Sequence, residues 1–173
     1  MERTDQDARI ARWLDTLEIR EQIAEYFRAL TKRDGARAQR VFHADAHERH
    51  GPLSGNAQVL TAQIVDNLRH KEGGIRHCLD AWVKVDGDGA LSEAGWINLI
   101  RTADEDQFYA GRYLDRWERR EGEWKIAARV ATVDFWRFDE RSSRPFVTGA
   151  EAIMEFSGRG FEDAAVRAAV GLE

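Results

Sequence analysis

The imidazole of His77 is the side chain with the clearest capacity for chemistry in this sequence. Because an unperturbed histidine has a pKa of about 6.5, it can take up and return a proton near neutral pH, as a general acid or base must. The alternative interpretation is a hydrogen-bonded histidine of the core or rim without a chemical role. We interpret His77 as a candidate catalytic residue.

Three other histidines, His43, His47 and His50, are spaced by four and three residues. Three histidines on one helix face would suit a zinc ion. This segment is instead predicted to be extended chain that leads into a loop at Gly51-Pro52, where the three side chains do not converge. We therefore expect no metal site here.

One tyrosine and two arginines could contact a ligand. Tyr26 lies on the apolar face of a predicted helix, where its hydroxyl could donate to a substrate oxygen or be satisfied within the core. Arg129 could hold a carboxylate or phenolate oxygen. Strict strand alternation places it opposite Ile126 and Val130, so it reaches a pocket only if that face lines the pocket or a β-bulge intervenes. Arg112 has the same ambiguity.

Helices come first along the chain and strands follow. Asp15–Glu18 has the form of a helix-capping box, and Gly35 is a natural helix end. From Val83 onward apolar and polar residues alternate, with turns at Asp86–Gly89 and Glu121-Gly122. This order predicts an α+β fold with helices on one side of an antiparallel sheet.

The composition excludes several classes of function. The chain has 173 residues, 43% hydrophobic and 33% charged, which suits one globular domain with a real core. The formal net charge of −5 and the interleaving of arginines with acids argue against a nucleic-acid partner. The single cysteine, Cys78, excludes an internal disulfide and a cysteine-based zinc site. Since the sequence shows neither a membrane span nor a signal peptide, we expect a cytoplasmic protein with no membrane partner.

Several short motifs follow one another in a characteristic order. They are Tyr26–Asp34, Val41–Ala46, His50-Gly51, Arg76–Leu79, Val83–Asp88, Gly111–Tyr113 and Arg119–Ile126. This set resembles the SnoaL-like branch of the nuclear transport factor 2-like (NTF2-like) superfamily, near scytalone dehydratase, bile-acid 7α-dehydratase and hexachlorocyclohexane dehydrochlorinase. The resemblance covers about residues 9 to 138.

The resemblance implies an α+β, cystatin-like fold. In this family a cone-shaped, curved antiparallel sheet packs on N-terminal helices and has an apolar pocket in its mouth. We expect a single domain over residues 1–173, with a core at about 9–138 and a C-terminal extension at 139–173. A homo-oligomer, dimer or trimer, is implied by resemblance only.

The resemblance also implies roles for individual residues. His77 stands where dehydratase-like relatives keep a catalytic histidine that faces the pocket. Tyr26 matches a functional tyrosine of the bile-acid dehydratases, and His50 stands where relatives often have a pocket-lining histidine. The important departure is Thr31, because relatives with a histidine–aspartate dyad have the aspartate at this position.

Two carboxylates could replace that missing aspartate. Asp34 falls closer to the apolar helix face than Thr31, although a residue of the helix end or turn is the alternative. Asp134 lies late on the last long strand. We therefore expect catalytic roles for His77, Tyr26 and Asp34. The expected substrate-binding residues are Thr31, His50, Arg129, Arg112 and Asp134.

The expected activity is that of a cofactor-independent lyase. It would perform a dehydratase-like elimination or a retro-aldol carbon–carbon cleavage on a small hydroxylated aromatic or polycyclic compound, as in aromatic compound catabolism, with His77 as the general acid or base. Two alternatives remain open. One is an isomerase or a polyketide-type aldol cyclase, and the other is a non-catalytic small-molecule-binding protein with the same fold.

Overall fold

The computed structural model describes residues 3–141 and 163–171. The chain divides into two compact units, Met1–Glu140 and Arg141–Glu173. Most of the extension predicted at 139–173 therefore lies outside the described residues. None of the helices in the described ranges has the length and apolar character needed to cross a membrane.

The first unit contains three helices and one sheet. The helices are α1 (Arg3–Thr31), α2 (Gly35–Gln39) and α3 (Ala57–Arg69), and the strands are β1 (Phe42–His50), β2 (Leu53–Asn56), β3 (Gly73–Asp86), β4 (Gly89–Arg101), β5 (Glu105–Arg120) and β6 (Glu123–Glu140). In the second unit, Asp163 caps a short helix, α4 (Ala164–Ala169), by accepting hydrogen bonds from two backbone N–H groups.

The six strands form one open, curled sheet in the order β2-β1-β6-β5-β4-β3. All neighbours pair antiparallel except β1 and β6, which run parallel. The predicted α+β fold, a curved sheet packed on N-terminal helices, is confirmed, and the parallel pair makes the sheet mixed.

Helix α1 covers the concave face of the sheet, which we call the inner face. Its C-terminal half is apolar at helical spacing and buries Ile19, Ile23, Tyr26 and Leu30. The helix ends at Thr31, and Arg33 follows with a left-handed φ of 56°. Gly35, which was expected to end this helix, instead begins α2.

The expected capping box at Asp15–Glu18 is not a helix start. Helix α1 is continuous from Arg3, so both residues lie within it. Asp15 instead accepts hydrogen bonds from Arg119 (2.6 Å) and from the indole nitrogen of Trp124 (3.0 Å). Its carboxylate thus ties the helix to the β5–β6 hairpin.

Two bulges shape β6. Trp117 pairs with Ile126 and Arg116 with Ala128, so Ala127 is an extra residue opposite β5. Further along, Gly111 pairs with Val133 and Ala110 with Phe135, which leaves Asp134 extra. Each bulge changes which side chains of β6 face inward and increases the curl of the sheet.

Candidate functional site

His77 lies on the outer face of the sheet. Its strand partner is Ile97, and its side chain is exposed. Arg76, one residue earlier, is half-buried and pairs with the buried Asn98 of the inner face. Since neighbouring strand residues point to opposite faces, Arg76 and not His77 faces the interior. The expectation that His77 faces a pocket is therefore wrong, and its catalytic role stays a prediction.

Neither Thr31 nor Asp34, the two candidates near the end of α1, places a carboxylate in the interior. The hydroxyl of Thr31 donates to the backbone carbonyl of Arg76 at 3.1 Å and so ties the end of α1 to β3. Asp34 is exposed and caps α2, since its carboxylate accepts a hydrogen bond from the backbone N–H of Arg37 at 3.0 Å. Asp34 therefore occupies the helix-end position that was its alternative interpretation.

Arg112 and Asp134 meet each other on the outer face. The Nε of Arg112 donates to Asp134 at 2.8 Å, and a second guanidinium nitrogen reaches Glu93 at 3.3 Å. All three side chains are exposed. The pair holds β4, β5 and β6 together from outside, away from the interior where both residues were expected.

Arg129 does reach the interior, because the bulge at Ala127 lets Ile126 and Arg129 face the same side. Its guanidinium makes a bidentate ion pair with Asp115, at 2.7 and 2.8 Å, and both side chains are 1% exposed or less. Burial alone would lower the pKa of Arg129, but the adjacent Asp115 carboxylate raises it, so the arginine stays charged. Burial raises the pKa of Asp115, and Arg129 opposes that shift.

Aromatic rings surround this guanidinium. The ring centroids of Tyr113, Tyr26 and Phe42 lie 4.1, 4.3 and 4.9 Å from the Arg129 Cζ, which are cation–π distances. Tyr26 and Tyr113 are themselves in edge-to-face contact at 5.8 Å. Burial raises the pKa of both phenols, so both are neutral donors at ordinary pH.

A second acid completes the interior. Glu48 of β1 is fully buried, pairs in register with Arg129, and accepts a hydrogen bond from Nδ1 of His50 at 2.9 Å. His50 lies over Tyr113, with ring centroids 6.4 Å apart. We call the five buried residues Tyr26, Glu48, Tyr113, Asp115 and Arg129 the interior polar cluster.

Several buried polar atoms in and beside this cluster have no hydrogen-bond partner among the described residues. They are the Tyr26 hydroxyl, Glu48 Oε2, Arg76 Nε, Trp96 Nε1, Asn98 Oδ1 and Arg129 Nη1. An unsatisfied buried polar group costs about 1–3 kcal/mol. Such a concentration of donors and acceptors is typical of a site that a ligand or bound water completes.

Beyond the cluster the inner face opens to solvent and is apolar. Tyr109 is on the same face as Tyr113, four residues earlier on β5, and its partner on β6 is Trp136. Phe138 contacts Tyr109 at 5.5 Å between ring centroids. Trp136 and Phe138 are both exposed, as is Val133 on the same face. We call Tyr109, Val133, Trp136 and Phe138 the aromatic mouth.

The comparisons with known proteins agree with this architecture. A family model described as a SnoaL-like domain matches residues 11–130. The chain belongs to the SnoaL-like family. None of the curated proteins matches the sequence significantly.

Solved structures of low sequence identity share this SnoaL-like fold. Hexachlorocyclohexane dehydrochlorinase LinA type 2 has a TM-score of 0.69 at 16% identity, covering 81% of this chain and 97% of that one. A scytalone dehydratase-like protein from Novosphingobium aromaticivorans has 0.65 at 15%, covering 76% and 91%. An NTF2-like protein with a cystatin-like fold from the same organism has 0.67 at 20%, covering 77% and 90%.

A small cavity and a groove border the part of this SnoaL-like sheet that the structure describes. A cavity of about 20 Å³ lies between Thr31 and Arg76, about enough for one water. A groove of about 320 Å³ lies on the outer face and is lined, among others, by Trp82, Glu93 and Arg116. Its charged side chains already have partners, since Glu93 contacts Arg112 and Arg116 contacts Glu118. We therefore place the candidate site of this SnoaL-like chain on the inner face.

The remaining histidines do not converge. Nε2 of His43 is 2.9 Å from the backbone carbonyl of Glu118, and Nε2 of His47 is 3.2 Å from the Ser54 hydroxyl on the outer side of β1. Within residues 3–141 and 163–171 no three side chains of the metal-binding types are grouped for an ion.

Sequence reasoning missed four residues of this SnoaL-like interior: Glu48, Tyr113, Asp115 and Arg76. Tyr113, Asp115 and Trp117 occupy every second position of β5 and so share one face of the strand. This two-residue period could have identified Tyr113 and Asp115 as inward-facing. Glu48 lies two residues before His50 on one strand, so the pair shares a face. Arg76 and His77 are adjacent on β3 and point to opposite faces, so their residue types alone do not show which of them faces inward.

Proposed function

We propose that this chain is a cofactor-independent lyase that acts on a small hydroxylated aromatic or polycyclic compound. The observation that carries the proposal is the group of unpartnered buried polar atoms lying beneath an exposed aromatic surface. A pocket with an apolar wall and a few convergent polar groups is the usual form of a small-molecule site. The names of the dehydrochlorinase and the scytalone dehydratase-like neighbours fit elimination chemistry.

The two parts of the site would bind different parts of the substrate. The ring system would stack on the aromatic mouth, where Trp136 and Phe138 offer exposed apolar surface. Its oxygens would meet the polar atoms nearest to the mouth, the Trp96 indole N–H and the Asn98 side-chain oxygen. Arg76, opposite Asn98 in the sheet, would contribute a positive charge near a carbonyl oxygen.

The arrangement of polar groups on the inner face suits an elimination reaction. A proton leaves the carbon beside a carbonyl, the electron pair forms a carbon–carbon double bond, and the hydroxyl on the next carbon leaves as water after it is protonated. Charged donors near the carbonyl oxygen stabilise the negative charge that develops there. A retro-aldol cleavage uses the same groups, with the proton taken from the hydroxyl instead.

One probe separates these reactions. The aromatic β-hydroxyketone formed from benzaldehyde and acetone dehydrates to a conjugated enone and cleaves back to benzaldehyde and acetone. Incubation with the protein, followed by chromatography and absorbance, should show one of these product sets above the buffer rate. Loss of turnover in Asn98→Leu but not in Arg112→Met, on the outer face, would place the reaction on the inner face. If a panel of such β-hydroxyketones gives no product, the lyase proposal is rejected.

A non-catalytic binder is the second candidate function. Two observations favour it, namely Thr31 at the position of the dyad aspartate and His77 on the outer face. A binder would give saturable quenching of tryptophan fluorescence with the same probe and no product. Trp96 and Trp136 lie at the site and would report this binding.

A further inference from the structure

We propose that Glu48 and His50 form the proton-transfer pair of this site, with His50 as the catalytic base and acid and Glu48 as its positioning residue. The inference rests on the proposed function, since it needs a substrate at the aromatic mouth. It assigns the proton-transfer role to Glu48 and His50, which neither the family resemblance nor the sequence spacing identified as a pair.

The geometry of the pair fixes which nitrogen is the base. The Glu48 side chain is 0% exposed and that of His50 is 27% exposed, with 2.9 Å between Oε1 and Nδ1. Because a carboxylate only accepts hydrogen bonds, Nδ1 carries the hydrogen and Nε2 keeps its lone pair. No described residue is a hydrogen-bond partner of Nε2. A buried carboxylate that orients one nitrogen and leaves the other free is the arrangement that general-base histidines use.

The position of His50 on the sheet brings this free nitrogen toward the mouth. His50 pairs with Ala131 of β6, and Ala131 pairs with Tyr113 of β5, so the three residues form one row on the inner face. Val133, on the same face of β6, begins the aromatic mouth. His50 thus lies at the boundary between the buried cluster and the exposed apolar surface.

Several charged and polar groups of the inner face lie near His50. Glu48 and Asp115 are buried acids, and the buried guanidinium of Arg129 makes an ion pair with Asp115 and lies in register with Glu48. Tyr26 and Tyr113 are neutral, and the half-buried Arg76 is the remaining charged group on the inner face near these rings. A proton that His50 takes from a substrate would therefore lie on a ring whose Nδ1 is 2.9 Å from Oε1 of Glu48.

The proposed step balances without a co-reactant. Nε2 of His50 takes the proton from the carbon beside the substrate carbonyl, and the C–H electron pair becomes the new double bond. The imidazolium then gives the proton to the departing hydroxyl, and water leaves as the C–O bond breaks. The histidine and Glu48 return to their starting states.

Deuterium exchange measures the first half of this step alone. β-Tetralone, a fused-ring ketone with an acidic C–H, is incubated with the full chain in D2O, and deuterium incorporation is followed by NMR. We expect His50→Gln to lower the protein-catalysed exchange rate by about 100-fold or more. His47→Gln is the matched control, because His47 lies on the same strand but on the outer side, and it should leave the rate unchanged.

The role of Glu48 needs a readout that a purely structural residue would not change. Glu48→Gln keeps an acceptor for Nδ1 but removes the negative charge, so the midpoint of the rate profile against pH should move to lower pH. In the wild-type protein, a downfield Nδ1 proton signal that correlates with His50 should be present, and Glu48→Gln should shift it. Circular dichroism confirms that each variant is folded.

The outcomes separate this inference from the proposed function. Exchange by the wild-type protein that His50→Gln leaves intact would overturn the assignment of His50 and leave the lyase proposal standing. Loss of exchange in His77→Gln, with His50→Gln active, would restore the sequence-based assignment instead. If the wild-type protein catalyses no exchange of any enolisable ring ketone, the assignment of His50 as the base of this C–H step is overturned, and the lyase proposal then depends on the β-hydroxyketone panel alone.

Discussion

At the scale of single residues, Arg129 and Asp115 form a fully buried ion pair. Moving two charges out of water is costly, and their mutual attraction compensates only when the geometry is good and the remaining hydrogen bonds are made. Here the geometry is bidentate and three aromatic rings cover the guanidinium. Removal of either partner would therefore leave a full charge alone in an apolar interior.

We predict that Arg129→Met lowers the free energy of unfolding by about 3–5 kcal/mol, the usual cost of an orphaned buried charge. The double variant Arg129→Met with Asp115→Leu should lose less than the single variant, since no lone carboxylate remains at that position. Urea unfolding followed by fluorescence gives both values.

The exposed pair between Arg112 and Asp134 is the matched control for this prediction, because its geometry is similar and its environment is solvent. Arg112→Met should cause a much smaller loss of stability. Equal losses at Arg112 and Arg129 would contradict the argument from burial.

From the sequence, the chemical type of a candidate side chain was easier to predict than the face of the strand to which that side chain points. Arg129 was identified as a candidate, yet its inward direction depends on a bulge at Ala127 that no residue type marks. His77 was identified for its imidazole, but the adjacent residue Arg76 is the one that points to the inner face of the sheet. The candidate site was therefore only partly predictable, because a local pattern does not determine which face of a strand is buried.

At the scale of elements, the close approach of β5 and β6 requires a glycine. A Cβ on Gly111 would lie 2.0 Å from the backbone oxygen of Thr132 and 2.7 Å from the ring of Trp96. Backbone atoms cannot yield as a flexible side chain can. The second bulge of β6, at Asp134, is next to this point, so Gly111 permits the local curl of the sheet.

We predict that Gly111→Ala destabilises the protein by about 1–3 kcal/mol, because the methyl group forces β6 and Trp96 apart. Gly95→Ala is the matched control in the neighbouring strand, where the added Cβ would be 3.7 Å from the Leu79 side chain, an ordinary contact. Thermal unfolding should show a lower Tm for Gly111→Ala only. A similar decrease in both variants would indicate a general cost of alanine in these strands.

Element order was predictable because it follows from periodicity, whereas element ends depended on tertiary contacts. Apolar residues at helical spacing predicted α1, and alternation predicted the long hairpins. The capping-box pattern at Asp15–Glu18 is not a helix start because α1 continues through it from Arg3. Asp15 instead accepts hydrogen bonds from the side chains of Arg119 and Trp124, and Glu18 accepts one from the backbone N–H of Trp124. The parallel pairing of β1 with β6 is likewise a long-range contact that no local pattern encodes.

At the scale of the whole molecule, two buried phenols make the stability of the fold depend on pH in alkaline solution. Burial raises the pKa of both Tyr26 and Tyr113 above the ordinary value of about 10. Below pH 10 the phenols are protonated in the folded and unfolded states, so they add no pH dependence. Above pH 10 the unfolded chain releases these protons while the folded chain retains them, and stability falls as pH rises.

We predict that the free energy of unfolding falls above pH 10 by about 1.4 kcal/mol per pH unit for each of these two tyrosines. Tyr26→Phe should remove about half of this slope, and it should cost little near neutral pH because the Tyr26 hydroxyl has no partner among the described residues. Tyr109→Phe should change the slope less, since Tyr109 lies at the half-open mouth and is only partly buried. Urea unfolding at several pH values between about 9 and 11 measures the slopes. A slope that Tyr26→Phe leaves unchanged would mean that this phenol is open to water, and the interior polar cluster would then lack the dry environment on which its electrostatics depend.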